Sequence, residues 1–406
     1  MQVYIGIDWS EQKHDVCFQN EKGDVIQLLQ INQSPEGFVK LDEARQNLGV
    51  LAEDCVAGIE TSHNLLIDYL VDQNYRAIYV LPPNAVKSAQ TIFRQSGAKS
   101  DRSDAILICE MIRLAGEQFH AWVPDSELTQ SIRVKVRLAG FLTKQILQTG
   151  NRLRSALLRY YPAALTLFST TDSQILLEWI IKYSTPELAE TVNFGEFKVF
   201  LKEHKHPRPK SWAACYARLH LPQVKASRGN TAAFSSEAKL LASLMLNLIR
   251  SRNCLLSEVK QDFVHHPDYA IYQSLPAAGK FLEPALCAML GDDRDRYPNV
   301  SVLQAIAGTC PVTEQSGKSK FVHFRHACDH QFRQVVQQWA RCSVLKSPWA
   351  AGYYASVRPR CHSENEAYRR LANRWLEVLW KLWQDRVPYD EQKHLKAHAL
   401  RINPKR

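Results

Sequence analysis

Three strand-like runs succeed one another at the N-terminus before any helical period begins, and that order constrains the fold more than any other feature of the chain. Val3–Trp9 is a short apolar run with alternation, His14–Asn20 a second, and Val25–Ile31 a third. Gly23, in Glu21-Lys22-Gly23-Asp24, supplies the tight bend between the last two. Ser34-Pro35 then reads as a helix start, with Phe38, Leu41 and Leu48 on one stripe. Strand Cys55–Ile59, helix Leu65–Asp72 and strand Ala77–Leu81 follow, the last stopped by Pro82-Pro83. A helix over Ala85–Phe93, a polar loop over Arg94–Arg102 and a helix from Ser103 to Leu114 close the unit.

An antiparallel triplet followed by alternating helix and strand is the ribonuclease-H-like arrangement of an α/β domain. In such a sheet the first and fourth strands are neighbours, so acids at their ends meet in space. Asp8 lies near the end of the first strand, in Ile5-Gly6-Ile7-Asp8-Trp9-Ser10, and Glu60 ends the fourth. Asp101 and Asp104, three apart at a helix start, share one face. Four converging carboxylates repel strongly unless cations sit among them. Mg²⁺, or Mn²⁺ in its place, suits such oxygen ligands. Two ions about 4 Å apart would activate an attacking oxygen and stabilise the leaving oxygen of a phosphodiester. Each acid alone reads more readily as an ordinary helix cap or strand-end residue; order, spacing and strand-end placement together reverse that and favour the metal-binding set. Asp15, Glu11 and Glu110 lack that support.

Charge is unevenly spread. The chain of 406 residues has a net charge of +10, yet residues 1–115 carry −6 and residues 116–406 carry +16. An acidic segment on a basic body fits an enzyme that gathers metal ions at one site and phosphates elsewhere, the alternative being chance asymmetry between domains. Residues 126–165 combine helical periodicity with Arg133, Lys135, Arg137, Lys144, Arg152, Arg154 and Arg159, either a nucleic-acid surface or a solvated amphipathic helix. The period breaks over 167–234, an inserted subdomain or a flexible arm, and returns at Ser236–Phe263 with Leu240, Leu244, Leu248, Leu255 and Val259 near one stripe. Leu275-Pro276-Ala277-Ala278-Gly279-Lys280 reads as a tight turn between helices, able to grip a phosphate backbone through N–H groups or to serve as a plain connection. Tyr368, Leu371, Trp375, Val378, Leu379 and Leu382 mark an amphipathic helix that also carries Trp380 and Trp383, a stripe better suited to a core or a protein contact than to base stacking.

The expected organisation is a catalytic domain over 1–120, a helical or coiled-coil middle over 121–265 with an insertion near 167–234, a mostly helical C-terminal domain over 266–360 and a helical tail over 361–406. No run of about 18 apolar residues long enough to span a bilayer is evident, and the N-terminus lacks a secretory pattern. The ten scattered cysteines contain no C-x-x-C pair, which suits reduced thiols in a cytoplasmic protein. His323, His326, Cys328 and His330 cluster, but their spacing matches no standard zinc site. Two rivals share the N-terminal fold. An actin-like or sugar-kinase ATPase needs a second phosphate loop and a Gly-rich adenosine site, neither of which is found; a Holliday-junction-type nuclease needs only the carboxylates.

The chain resembles the DEDD-type insertion-sequence transposases, which have a RuvC-like N-terminal domain and are related to the Piv-type DNA invertases. The resemblance rests on Ile5–Ser10 with His14-Asp15-Val16, on Glu60-Thr61 and on Lys99-x-Asp101-x-x-Asp104-Ala105. It continues in Leu275-Pro276-x-x-Gly279 and in Ala307-Gly308-Thr309-x-Pro311-Val312-x-x-Gln315-Ser316-Gly317-Lys318-Ser319. It implies a transposase that cuts and rejoins DNA, in which the acids work with a serine nucleophile of the C-terminal domain in one composite site. Ser316 sits where that family has its serine, with Ser319 as the nearest rival. A covalent phosphoserine link would conserve bond energy for rejoining. It also implies a structured bridge RNA that pairs with donor and target DNA, dimers that assemble into tetramers, and a prokaryotic, cytoplasmic protein on the nucleoid when active. Arg133, Arg137, Lys144, Arg152, Lys318 and Arg325 are the expected nucleic-acid contacts.

Overall fold

The computed structural model describes residues 2–61, 64–93, 100–168, 170–207, 209–221, 224–317 and 319–402. The chain divides into two compact units, one ending at Asp125 and one beginning at Ser126.

In the first unit β1 (Val3–Asp8), β2 (Lys13–Gln19), β3 (Val25–Asn32), α1 (Pro35–Asn47), β4 (Cys55–Ile59), α2 (Leu65–Asp72), β5 (Ala77–Val80), α3 (Pro83–Phe93) and α4 (Asp101–Ala115) follow in turn. The strands form one sheet in the order β3-β2-β1-β4-β5. β1, β2 and β3 are antiparallel neighbours, whereas β4 and β5 run parallel to β1. This mixed sheet is consistent with the ribonuclease-H-like expectation. Local chemistry sets the breaks: the Ser34 hydroxyl accepts from Gly37 N with Pro35 in the first helical turn, which starts α1. Alternation then sorts the side chains. Cys55, Ala57 and Ile59 of β4 pack with Ile5 and Ile7 under α1 and α2, while Val56 points to the opposite face, against Leu107, Ile108 and Ile112 of α4.

Two glycines let α4 lie flat on that second face. Gly6 and Gly58 are register partners across β1 and β4. A Cβ on Gly6 would come within 2.1 Å of the Ala105 carbonyl oxygen, and one on Gly58 within 2.7 Å of an Ile112 methyl. The Gly6 N–H donates to Cys109 Sγ at 2.8 Å, which ties the helix to the central strand.

The second unit opens with α5 (Glu127–Tyr160), then α6 (Ala164–Leu167), α7 (Gln174–Lys182), α8 (Pro186–Glu190), α9 (Phe194–Glu203) and α10 (Trp212–Leu219), and α11 (Arg228–Phe263). After these come α12 (Tyr269–Gln273), α13 (Gly279–Leu290), α14 (Val300–Ile306), the hairpin of β6 (Val312–Ser316) and β7 (Ser319–His323), then α15 (His330–Ser343), α16 (Pro348–Val357), α17 (Glu364–Asp385) and α18 (Glu391–Ile402). α5 and α11 pack along one another and contribute to two separate cores. One core joins Leu153, Leu157, Ala242 and Met245 to Trp179, Phe197 and Trp212. The other joins Ile132, Val136, Val259 and Phe263 to Leu286, Trp339, Trp375 and Trp383. The segment over 167–234 is therefore largely a folded helical subdomain with its own core, and the tryptophan stripe near the C-terminus is core.

Two sequence expectations need correction on α11. Its buried face is Ser235, Ala238, Ala242, Met245, Leu246, Val259 and Phe263, so Val259 of the expected stripe is buried whereas Leu240 and Leu244 are exposed. The helix is also long enough, and at a mean hydropathy of 1.2 apolar enough over 18 residues, to meet the minimum for crossing a membrane. The expectation of no such run overlooked it because Leu, Met and Ile are spaced there by small polar residues.

Candidate active site

The sheet and α4 together place the acids. Ile7 pairs with Ile59 in the parallel β1–β4 ladder, so Asp8 and Glu60 leave adjacent strand ends one step later. α4 begins beside them. Ser100 caps it, accepting from Ser103 N while the Ser103 hydroxyl accepts from Ser100 N. Asp101 and Asp104 are thus in the first helical turn without being the cap, so capping does not explain either acid. Asp101 is exposed; Asp104 is buried and accepts from Gln90 Nε2 at 3.2 Å.

Electrostatics links the four. The Asp8 carboxyl is pushed up to about 7, first by burial and then by the charges of Asp104, Glu60, Asp101 and Asp15. Among the described residues no three His, Cys, Asp or Glu side chains are drawn together tightly enough to hold a metal ion. The acids are within electrostatic reach of one another without being closed to ligand spacing.

Asp15, set aside in reading the sequence, belongs to this neighbourhood. It is the register partner of Asp8 across the β1–β2 hairpin, is buried, and accepts from Gln30 Nε2 at 3.1 Å. The antiparallel register on either side of the Trp9–Gln12 bend was the signal that could have found it. His14 next to it is buried between Trp9 and Phe38 and bonds Gln33 at 2.5 Å. Burial lowers its pKa, and its role is packing.

In the second unit Ser316 and Ser319 face each other as the last pair of the β6–β7 ladder, both exposed at the hairpin tip. Gly317 adopts φ +54, and nothing lies within 4 Å of a Cβ built on it. Glycine is required there by the left-handed turn rather than by a crowded neighbour.

The expected nucleic-acid residues are scattered. Arg133 Nε donates to the Ala288 carbonyl at 2.8 Å, Arg137 pairs with Asp329 at 3.2 Å, and Arg152 pairs with Glu237 at 2.7 Å. Lys135 beside them is held by Glu258 and Asp262 of α11. Much of the basic face of α5 is thus spent on packing within this unit. Lys144 is exposed, and Arg325 Nε donates to the Cys310 carbonyl at 3.3 Å. Lys318 lies outside the described residues, as do residues 94–99 of the expected loop. The turn before α13 has Ala277 at φ +56 and Gly279 at φ +64, and its Pro276 carbonyl accepts from Trp339 Nε1 at 3.0 Å.

Two family models match the chain: one described as transposase, of the DEDD IS110 type, over residues 5–162, and one described as transposase, IS116/IS110/IS902 family, over residues 269–355. The chain is 29% identical, over 96% of each chain, to the "Mini-circle putative transposase for IS117" of Streptomyces coelicolor. It is 24% identical to the insertion element IS900 uncharacterized 42 kDa protein of Mycobacterium paratuberculosis, over 95% of this chain and 97% of that one. It is 22% identical, over 95% of each, to the insertion element IS116 uncharacterized 44.8 kDa protein of Streptomyces clavuligerus.

Proposed function

The chain belongs to the IS116/IS110/IS902 family of transposases, and from that premise we propose that it cuts and rejoins DNA with its acids holding divalent metal and Ser316 as nucleophile. The observation that carries the metal half is the placement of Asp8 and Glu60 at adjacent strand ends with Asp104 and Asp101 in the first turn of α4, where burial first and then the charges of Asp104, Glu60 and Asp101 push Asp8 up. An all-oxygen set of mutually repelling carboxylates fits a hard divalent cation, magnesium or manganese. Asp8, Glu60, Asp101 and Asp104 would hold it. When bound, such an ion supplies Lewis-acid charge for an attacking hydroxyl and for the leaving oxygen of a phosphodiester.

The protein's own step falls to Ser316. Its Oγ attacks phosphorus and gives up its proton; the P–O bond to one DNA end breaks, and that oxygen leaves as a hydroxyl. The resulting phosphoserine diester is then attacked by a DNA hydroxyl, which restores the phosphodiester and releases the serine. The exposure of Ser316 at a hairpin tip supports access to a backbone phosphate. Ser319, equally exposed across the turn, is the rival nucleophile.

Denaturing gels of the protein incubated with DNA of the element's ends and Mg²⁺ test this reading. A DNA–protein adduct is expected for the unaltered chain. Ser316→Ala should lose it and Ser319→Ala should keep it; the reverse pattern moves the nucleophile to Ser319. Asp8→Ala should lose the adduct while still binding DNA, and loss of folding instead would make Asp8 structural.

The resemblance extends to a bridge RNA that selects donor and target DNA by base pairing. RNA sequenced from the purified protein, matching the element's flank, is the expected result. Assembly into dimers and tetramers is supported by exposed Val134, Leu138 and Phe141 on α5 and Leu240 and Leu244 on α11.

A further inference from the structure

Arg333 on α15 is held rigidly. Its guanidinium stands over the Phe324 ring at 4.5 Å, and its Nη2 donates to the Arg325 carbonyl. The space exists because Gly308, at φ +60, has no Cβ; one built there would meet Nη2 at 2.4 Å. From α17, Arg369 stands over the same Phe324 ring at 4.6 Å. Two cations therefore share one aromatic ring. Burial lowers the Arg369 pKa, with Arg333 and Arg370 adding to the effect and Glu366 opposing it. Glu366 already bonds Arg370 at 2.7 Å. Arg341 lies over the Tyr368 ring at 5.9 Å, with Glu364 also acting on that tyrosine. Between α15 and α17 a cavity of about 190 Å³ is lined by Arg333, Arg341, His330, Gln334, Asn365 and Tyr368, among others, and no carboxylate lines it.

We propose that this groove grips the phosphodiester backbone of a DNA strand, with Arg333 and Arg341 of its lining, and Arg369 beside it at the Phe324 ring, on phosphate oxygens and the amides of Gln334 and Asn365 on the adjoining nucleotide. Like charges gathered and held in place are costly unless an anion joins them. Guanidinium forks match phosphate geometry, and neutral amides suit the sugar and base edges beside it. The occupant follows from the hairpin, so this inference rests on the DNA-cutting reading. Phe324 directly follows β7, at the open end of the ladder where His323 pairs with Val312, and Ser316 is at the closed end. Five strand residues span about 17 Å, the length of about five base steps of duplex. The gripped phosphate is thus near the cut one without being it, and these arginines are positioning residues.

Anisotropy of a labelled DNA duplex on the full-length protein, without divalent metal, tests the groove. The double variant Arg341→Gln with Arg369→Gln should weaken binding about tenfold and flatten the plot of log Kd against log salt by about two. Lys381→Gln, which removes one positive charge from an exposed position elsewhere on α17, should do neither. Unchanged affinity and slope in the double variant, with its circular dichroism intact, overturns the proposal. So does weakened binding of an RNA of the same sequence with DNA binding unaltered, or a changed oligomer with DNA binding unaltered. If the double variant does not fold, the exposed Arg341→Gln alone decides, with a slope change of about one. Failure of the transposase reading would appear as a missing covalent adduct, a measurement that this binding assay does not use.

Discussion

Asp8 is costly when charged, and the cost has a pH signature. Its carboxyl titrates at about 7 in the folded chain against 3.8 ordinarily, so between those values the folded state keeps a proton that the unfolded state has released. The stability from this group is full below pH 3.8 and is lost as pH rises to 7. Asp8→Asn, which imitates the protonated form, should therefore raise the metal-free melting temperature, by an amount that grows from pH 3.8 and levels off above 7. Calorimetry across that range checks it, and a gain independent of pH would sink the assignment. Added Mg²⁺ should narrow the gap by favouring the unaltered chain. The places of Asp8, Glu60, Asp101 and Asp104 at strand ends and a helix start were legible in the sequence because these are local features. Asp15 was not, since its relevance depends on which residue faces Asp8 across a hairpin, and alternation alone does not fix register.

At the scale of elements, the bearing of α4 on β1 and β4 decides whether those acids share a neighbourhood. Gly6→Ala inserts a methyl where the Ala105 carbonyl oxygen would be 2.1 Å away, and backbone cannot step aside as a flexible side chain would. Urea unfolding should show a loss of about 1–3 kcal/mol. Because Asp101 and Asp104 ride on the displaced helix, cutting should fall further than stability, and a folded Gly6→Ala protein with full activity would contradict this. The strands and helices of this unit were readable from period and turn residues; the glycine pair was not, because its meaning lies in a contact between residues some hundred positions apart. The face of α11 was misread for a related reason. A helix packed lengthwise on one neighbour buries small residues such as Ala238 and Ala242, while Leu240 and Leu244 are left outside. A stripe of the largest apolar residues then marks the wrong side.

For the molecule as a whole, those outward leucines bear on assembly. On the proposed assembly, sedimentation should give a multiple of the chain's mass, which Leu138→Lys together with Leu244→Lys should lower without changing the helical content; a monomer mass for the unaltered chain would sink the assembly reading. The two cores of the second unit were not legible in the sequence, since both draw on the same pair of helices. That sharing has a mechanical consequence. α5 is 34 residues long, and at 1.5 Å per residue it is a beam of about 51 Å. Stiffened by α11 along its length, it is clamped at one end by the core around Trp179 and at the other by the core around Trp339. A torque applied to the distal subdomain by whatever binds there is delivered along the beam to the core that anchors Leu303 of α14 and Phe332 of α15, the helices on either side of the serine hairpin in the chain. A turn of 10° about one end sweeps the other through about 9 Å, more than a strand of DNA needs to move from one phosphate to the next.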